Sequence, residues 1–192
     1  MRTLSRRSSL LLPLLLSACG GRSQRVYPPL HYGHLTALRL NVAAIQIEQR
    51  YVPSGVAPDV SQIDPMPPVQ ALRNMAAERL QAFGSSGRAV FVIQDASLIR
   101  QRNMLLGSFA VELDVYTSAD TRAGFAEARV SRTYTGDLDD LPAKLYDITT
   151  EMMDTMNIEF EFQLRRSLRT WLLPEGAVQP PVQQEPLVAP PR

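Results

Sequence analysis

Leu141, Leu145, Ile148, Met152, Met156, Phe160, Leu164, Leu168 and Trp171 follow one another at intervals of three or four residues. No other feature limits the chain as much. That spacing lines up on one face of a helix of about 30 residues, about 45 Å long. A single apolar face of that length needs a broad apolar surface to lie on. The stretch "IEFEF", Ile158 to Phe162, alternates like a strand when taken alone, but the apolar face runs through it unbroken and it is read as helix. Just before the helix, "DLDD", Asp137 to Asp140, supplies an N-cap and complements the helix dipole.

The surface for that helix is written upstream. Leu38, Leu40 and Val42 alternate, and the phase shifts at Ala43-Ala44 to Ile45 and Ile47, so one strand with a bulge is expected. A proline-studded loop, Val52 to Pro68, precedes a helix carried by Val69, Leu72, Met75, Ala76, Leu80 and Phe83 and stopped at Gly84. "AVFVIQDASLI" reads as a strand that begins apolar on both faces and is therefore central. Phe109, Val111, Leu113 and Val115 alternate in a third strand. After the turn "SADTRAG", Ala126, Ala128 and Val130 alternate in a fourth, which could set Arg129 against Glu112 or Asp114. The order strand-helix-strand-strand-strand-helix predicts an α+β two-layer sandwich, its sheet of about four strands covered on one face by two helices.

Both ends differ in composition from this domain, which is expected over residues 35–173. Residues 1–18 have the parts of a secretory signal: Arg2, Arg6 and Arg7, then "LLLPLLL", then a small pair. The apolar run is too short to cross a bilayer, which takes about 20 residues. Without the signal the balance is 17 basic against 19 acidic residues, which excludes a nucleic-acid footprint. Residues 19–34 read as a polar tether and residues 174–192, with six prolines, as a disordered or polyproline-like tail.

Cys19 is the sole cysteine, so no disulfide can form within the chain. It could simply be the first residue of a secreted protein after Ala18. Alternatively, Leu16, Ser17, Ala18 and Cys19 resemble the lipobox of bacterial lipoproteins, whose cysteine carries diacylglycerol on its sulfur. The resemblance implies membrane attachment through acyl chains. It also implies sorting to the outer membrane, facing the periplasm, because Gly20 is not the aspartate that retains such proteins in the inner membrane. "SRRSSLL" partly resembles a twin-arginine export signal but lacks the aromatic residue and lysine that follow one.

Signal, lipobox, tether and element order together are similar to small Gram-negative envelope lipoproteins. The LPS-assembly lipoprotein that plugs the outer-membrane LPS translocon is one such family, and the auxiliary lipoproteins of ABC-type lipid transporters are another. The first implies a non-enzymatic partner in envelope assembly; the second implies a lipid groove between helices and sheet. The lead "CGGRSQRVYPPL" is longer and more polar than the assembly lipoprotein's entry into its fold, and no family binding residue is carried over.

No catalytic constellation is expected. His31 and His34 have H-x-x-H spacing without a third ligand near them in sequence, and "DLDD" lacks the glycine and distant glutamate of a calcium loop, so neither a metal nor a cofactor is expected. Asp95 and Ser97 end a strand, but both histidines sit in the tether, which leaves a periplasmic hydrolase as the weakest reading. Met152, Met153 and Met156 read as core filler. The expected contact surface is the sheet face not covered by helices or the end of the long helix. Sheet strands of about eight residues span about 27 Å, so the helix should overhang them. There Arg165, Arg166 and Arg169 either complement the negative end of the helix dipole while Trp171 folds against the core, or together with Trp171 meet a partner protein or anionic headgroups.

Overall fold

The computed structural model describes residues 25–174; the lipobox and nearly all of the proline-rich tail lie outside them. The elements are β1 (Leu38–Leu40), β2 (Ala44–Gln49), α1 (Pro68–Arg79), β3 (Leu80–Ala82), β4 (Arg88–Gln101), β5 (Met104–Tyr116), β6 (Arg122–Thr135) and α2 (Leu141–Ser167), followed by a 3-10 turn, Arg169–Trp171. A four-stranded sheet runs in the order β2-β4-β5-β6, with β2 parallel to β4 and the rest antiparallel. Both helices bury their apolar faces in one core against it. This is the expected α+β sandwich.

The sheet is longer than its alternating stretches suggest. β5 begins at Met104 because Leu105, Gly107 and Phe109 continue the inward-facing row, and Gly107 hides that row in the sequence. A Cβ at Gly107 would run into the Met152 sulfur, so glycine is what lets α2 lie this close to the sheet. On β6 the inward row is broken by Arg132, which reaches across to Glu151 of α2 at 2.5 Å. Strands of 13 and 14 residues span about 45 Å, while the 27 residues of α2 span about 40 Å. The helix therefore does not overhang the sheet. Its path is unbroken through Ile158–Phe162, and Asp140 caps it by accepting from the Ala143 amide.

Three other expectations change. The strand with a bulge is two strands in different sheets: β1 pairs with β3, β2 with β4, and the chain crosses between them at residues 41–43. α1 ends at Arg79, because Leu80–Ala82 turn extended and pair in parallel with β1; apolar spacing alone could not show that β1's hydrogen bonds claim them. Arg129 lies opposite Ala110 rather than an acid, and Glu112 faces Glu127. The like charges are offset by Arg122, which binds Glu112 and Asp114, and by Arg129, which binds Glu127 and Gln94. This polar lattice crosses the helix-free face of the sheet, where Val90 and Val92 of β4 are nonetheless buried, as a central strand requires.

The loop from Val52 to Pro67 closes over the core through Asp64. Its carboxylate accepts from the Thr149 hydroxyl (2.6 Å) and the Met66 amide (2.9 Å). Burial, only partly offset by those two donors, pushes its pKa up to about 6. An acid whose pKa is raised on folding contributes stability that is fully present below its unfolded value and is lost as pH rises through the folded one. Unfolding free energy should therefore fall by about 2–3 kcal/mol between about pH 4 and pH 7 on account of Asp64. Asp64→Asn should flatten that part of the profile, as read by urea unfolding across the pH range.

Candidate functional site

The outward face of α2 and the N-terminal segment beside it form the candidate site. Residues 27–34, expected as part of the polar tether, are packed on the domain from Tyr27 onward. The Tyr27 ring lies 5.2 Å from that of Tyr146, whose hydroxyl donates to the Pro28 carbonyl at 2.8 Å. Glu78 of α1 gathers the next turn: its carboxylate accepts from the Tyr32 amide, the Gly33 amide (2.9 Å) and His31 Nδ1 (3.1 Å). These bonds, led by the Tyr32 amide, hold Glu78 below the usual carboxylate range. His31 is thus committed to Glu78, and no group of three His, Cys, Asp or Glu side chains suited to a metal occurs among the described residues.

Between this segment and α2 lies a mainly apolar groove of about 270 Å³, walled by Leu30, Leu35, Met153 and Ile158, with His34 and Asp154 at its margin. Tyr32 lines it too; the hydroxyl is buried with no partner among the described residues. Burial, reinforced by Asp154 and Glu78, pushes that phenol's pKa up.

A shallower depression continues along Thr36, Ile158 and Glu161, with Arg79 beneath it. The Arg79 side chain is 2% exposed. Its Nη1 donates to the carbonyl (3.2 Å) and side-chain oxygen (3.1 Å) of Asn157, and its Nη2 to the Thr36 carbonyl (3.2 Å) and to Glu161 (2.5 Å). Burial acts to raise the Glu161 pKa, but hydrogen bonds from Arg165 and Arg79 prevail and lower it.

No family model matches the chain, and no curated protein matches it. Among solved structures, a lipoprotein from Caulobacter crescentus CB15 is similar over 62% of this chain and 85% of its own, at 16% identity and a TM-score of 0.33. A minor lipoprotein from Acinetobacter baumannii matches over 65% and 94%, at 11% identity and a TM-score of 0.35. Lipoprotein B from Nitrosomonas europaea matches over 68% and 88%, at 12% identity and a TM-score of 0.37. At these values no residue of those proteins is carried over to this one.

Ile158 and Phe162 stand out on α2, at 74% and 55% exposure. One helical turn apart, they point away from the buried Met156, Phe160 and Leu164, and by the same spacing they lead to Arg166. Their signal was present in "IEFEF", as two apolar residues out of phase with the core face.

The expected contact residues are placed as follows. Arg165, Arg166 and Arg169 are exposed, Arg165 pairing with Glu161 at 2.8 Å. Trp171 is half-buried against the core. Beyond it the chain runs antiparallel to β1: the Asn41 amide donates to the Trp171 carbonyl (2.8 Å) and the Leu173 amide to the Arg39 carbonyl (2.9 Å). The helix end is therefore tied down, and of the four expected residues the three arginines form the open surface.

Removing one partner from a buried charged pair costs about 3–5 kcal/mol. Arg79→Ala should destabilise the domain by about that amount. Glu161→Gln, which keeps an acceptor at a partly exposed position, should cost about 1 kcal/mol. Chemical denaturation of both variants checks the order, and equal losses would contradict it.

Proposed function

We propose that this chain is a lipid-anchored lipoprotein of the cell envelope, held at the periplasmic face of the outer membrane, and that its domain binds a protein partner rather than catalysing a reaction. The observation that carries the binding reading is the exposed pair Ile158 and Phe162 on the outer face of α2, beside an apolar groove and followed by three exposed arginines. Exposed apolar and aromatic residues bordered by arginine suit the centre and rim of a protein interface. The arginines favour a partner segment that is acidic where it meets the C-terminal half of α2. The Leu16-Ser17-Ala18-Cys19 sequence supports the anchor, and Gly20 supports the outer membrane.

A lipid-handling auxiliary is the second reading. It needs an apolar channel between helices and sheet. That space is occupied by Met152, Met156 and Phe160, all fully buried, and the groove lined by Leu30 and Ile158 opens outside the layers. The filled interior favours the protein-binding reading.

Two measurements test these assignments separately. Metabolic palmitate labelling should mark the mature protein, and Cys19→Ser should abolish the label and release the protein from membranes or leave it with an uncleaved signal. An unlabelled mature protein would refute the anchor. Ile158→Ser combined with Phe162→Ser should leave thermal stability nearly unchanged, since neither residue is in the core. The pair should reduce recovery of crosslinked envelope proteins by about tenfold. Undiminished recovery would place the interface elsewhere.

A further inference from the structure

The two ends of the sandwich differ, and the chain leaves for Cys19 from one of them. At that end the β4–β5 hairpin tip, Arg102-Asn103, meets the close of β6, where the Gly136 amide donates to the Asn103 carbonyl at 3.3 Å. The start of α2 lies there too, with Asp140 paired to Arg25 at 3.1 Å. The loop before α1 is fastened to the same end: the Arg100 amide donates to the Pro58 carbonyl (2.9 Å), the Val60 amide to the Leu98 carbonyl (2.8 Å), and Thr149 to Asp64.

Six residue steps separate Arg25 from Cys19, a reach of at most about 20 Å even when fully extended. α2 alone is about 40 Å long. The tether is thus short compared with the domain, and the end carrying Arg25 stays near whatever holds Cys19.

Seven large apolar side chains are exposed among the described residues, and three of them lie on the segments just described: Val26 (85%), Val56 (68%) and Ile63 (53%). Arg100 and Arg102, also exposed, sit beside them and form no salt bridge with any described residue. Arg102 holds a φ of 54°, a left-handed conformation in which glycine would be strain-free. Of the nearby acids, Asp137 accepts from the Asp139 amide and Asp140 pairs with Arg25 and caps α2, while the exposed Asp139 carboxylate joins no ion pair among the described residues. Apolar tips mixed with unpaired arginines are the chemistry of a surface that sits in the headgroup region of an anionic bilayer.

We propose that this end of the domain, through Val26, Val56, Ile63, Arg100 and Arg102, rests on the phospholipid bilayer that holds the acyl chains. α2 then points away from the membrane, and its groove and C-terminal arginines are offered to the periplasm. The proposal rests on the lipid-anchor reading, because the short tether is what brings this end to the bilayer.

The test uses the full-length mature protein, reconstituted in vesicles of phosphatidylcholine and phosphatidylglycerol carrying nitroxide lipids. Single-cysteine reporters Val56→Cys, Ile63→Cys and, at the far end, Phe162→Cys are labelled with an environment-sensitive dye, Cys19 being blocked by its acyl group. Mass spectrometry of the N-terminal peptide reads acylation in each sample. Quenching at position 56 and at position 63 should exceed that at position 162 by about threefold or more. Arg100→Glu with Arg102→Glu should at least halve that difference. Acylated protein that is quenched equally at both ends, or more at position 162, overturns the orientation while leaving the anchor intact. Protein whose Cys19 carries no acyl group overturns both.

Discussion

Arg79 carries a charge that cannot reach water, and much of the domain is arranged around its guanidinium. A buried cation is costly unless acceptors meet its charge. Here Nη1 and Nη2 are matched by two separate parts of the chain, Asn157 and Glu161 in the middle of α2 and the Thr36 carbonyl where the N-terminal segment enters β1, while the buried Nε has no partner among the described residues. Because Arg79 is the last residue of α1, these bonds also fix where that helix stops and β3 begins. α1, α2 and the entry to β1 are thereby held in one register, which leaves a groove between residues 30–36 and α2 with Ile158 on its rim.

The same arrangement gives the domain a direction. The close of β6 brings the start of α2 beside Arg25, while the opposite end is closed by residues 171–173 running along β1. Charge is distributed unequally over the surfaces. The helix-free face of the sheet carries a lattice of paired acids and arginines, in which burial, followed by the neighbouring Asp114, raises the pKa of Glu112. Such a face is satisfied within itself. The outer face of α2 leaves Ile158 and Phe162 uncovered beside arginines, the feature on which the proposed binding role rests.

Much of the architecture was legible because periodicity reports burial directly. The long apolar face of α2, the inward rows of β5 and β6 and the double-sided apolar start of β4 all followed from which residues must avoid water. Legibility failed where a residue's surroundings come from distant parts of the chain. Gly107 and Arg132 interrupt the apolar rows of β5 and β6 because α2 crosses them, and the strands are longer than their clean stretches. That added length removes the expected overhang of α2. Leu80 keeps helical spacing, yet the hydrogen bonds of β1 draw it into a strand. Of the expected contact surface, the exposed arginines remain and Trp171 turns inward.

By itself the sequence determined the helices, most of the strand positions, the α+β class and the single cysteine behind its leucine run, because each depends on covalent order and on local period. Only the tertiary structure decided that Arg79 would be buried, that Tyr27 to Leu35 would dock on the domain and form a groove, and which end of the sandwich would adjoin Arg25. Those outcomes depend on pairing between residues tens of positions apart, as with Arg79 and Glu161 or His31 and Glu78. Which buried charge meets which acceptor is settled by the packing of layers, and no local pattern encodes it.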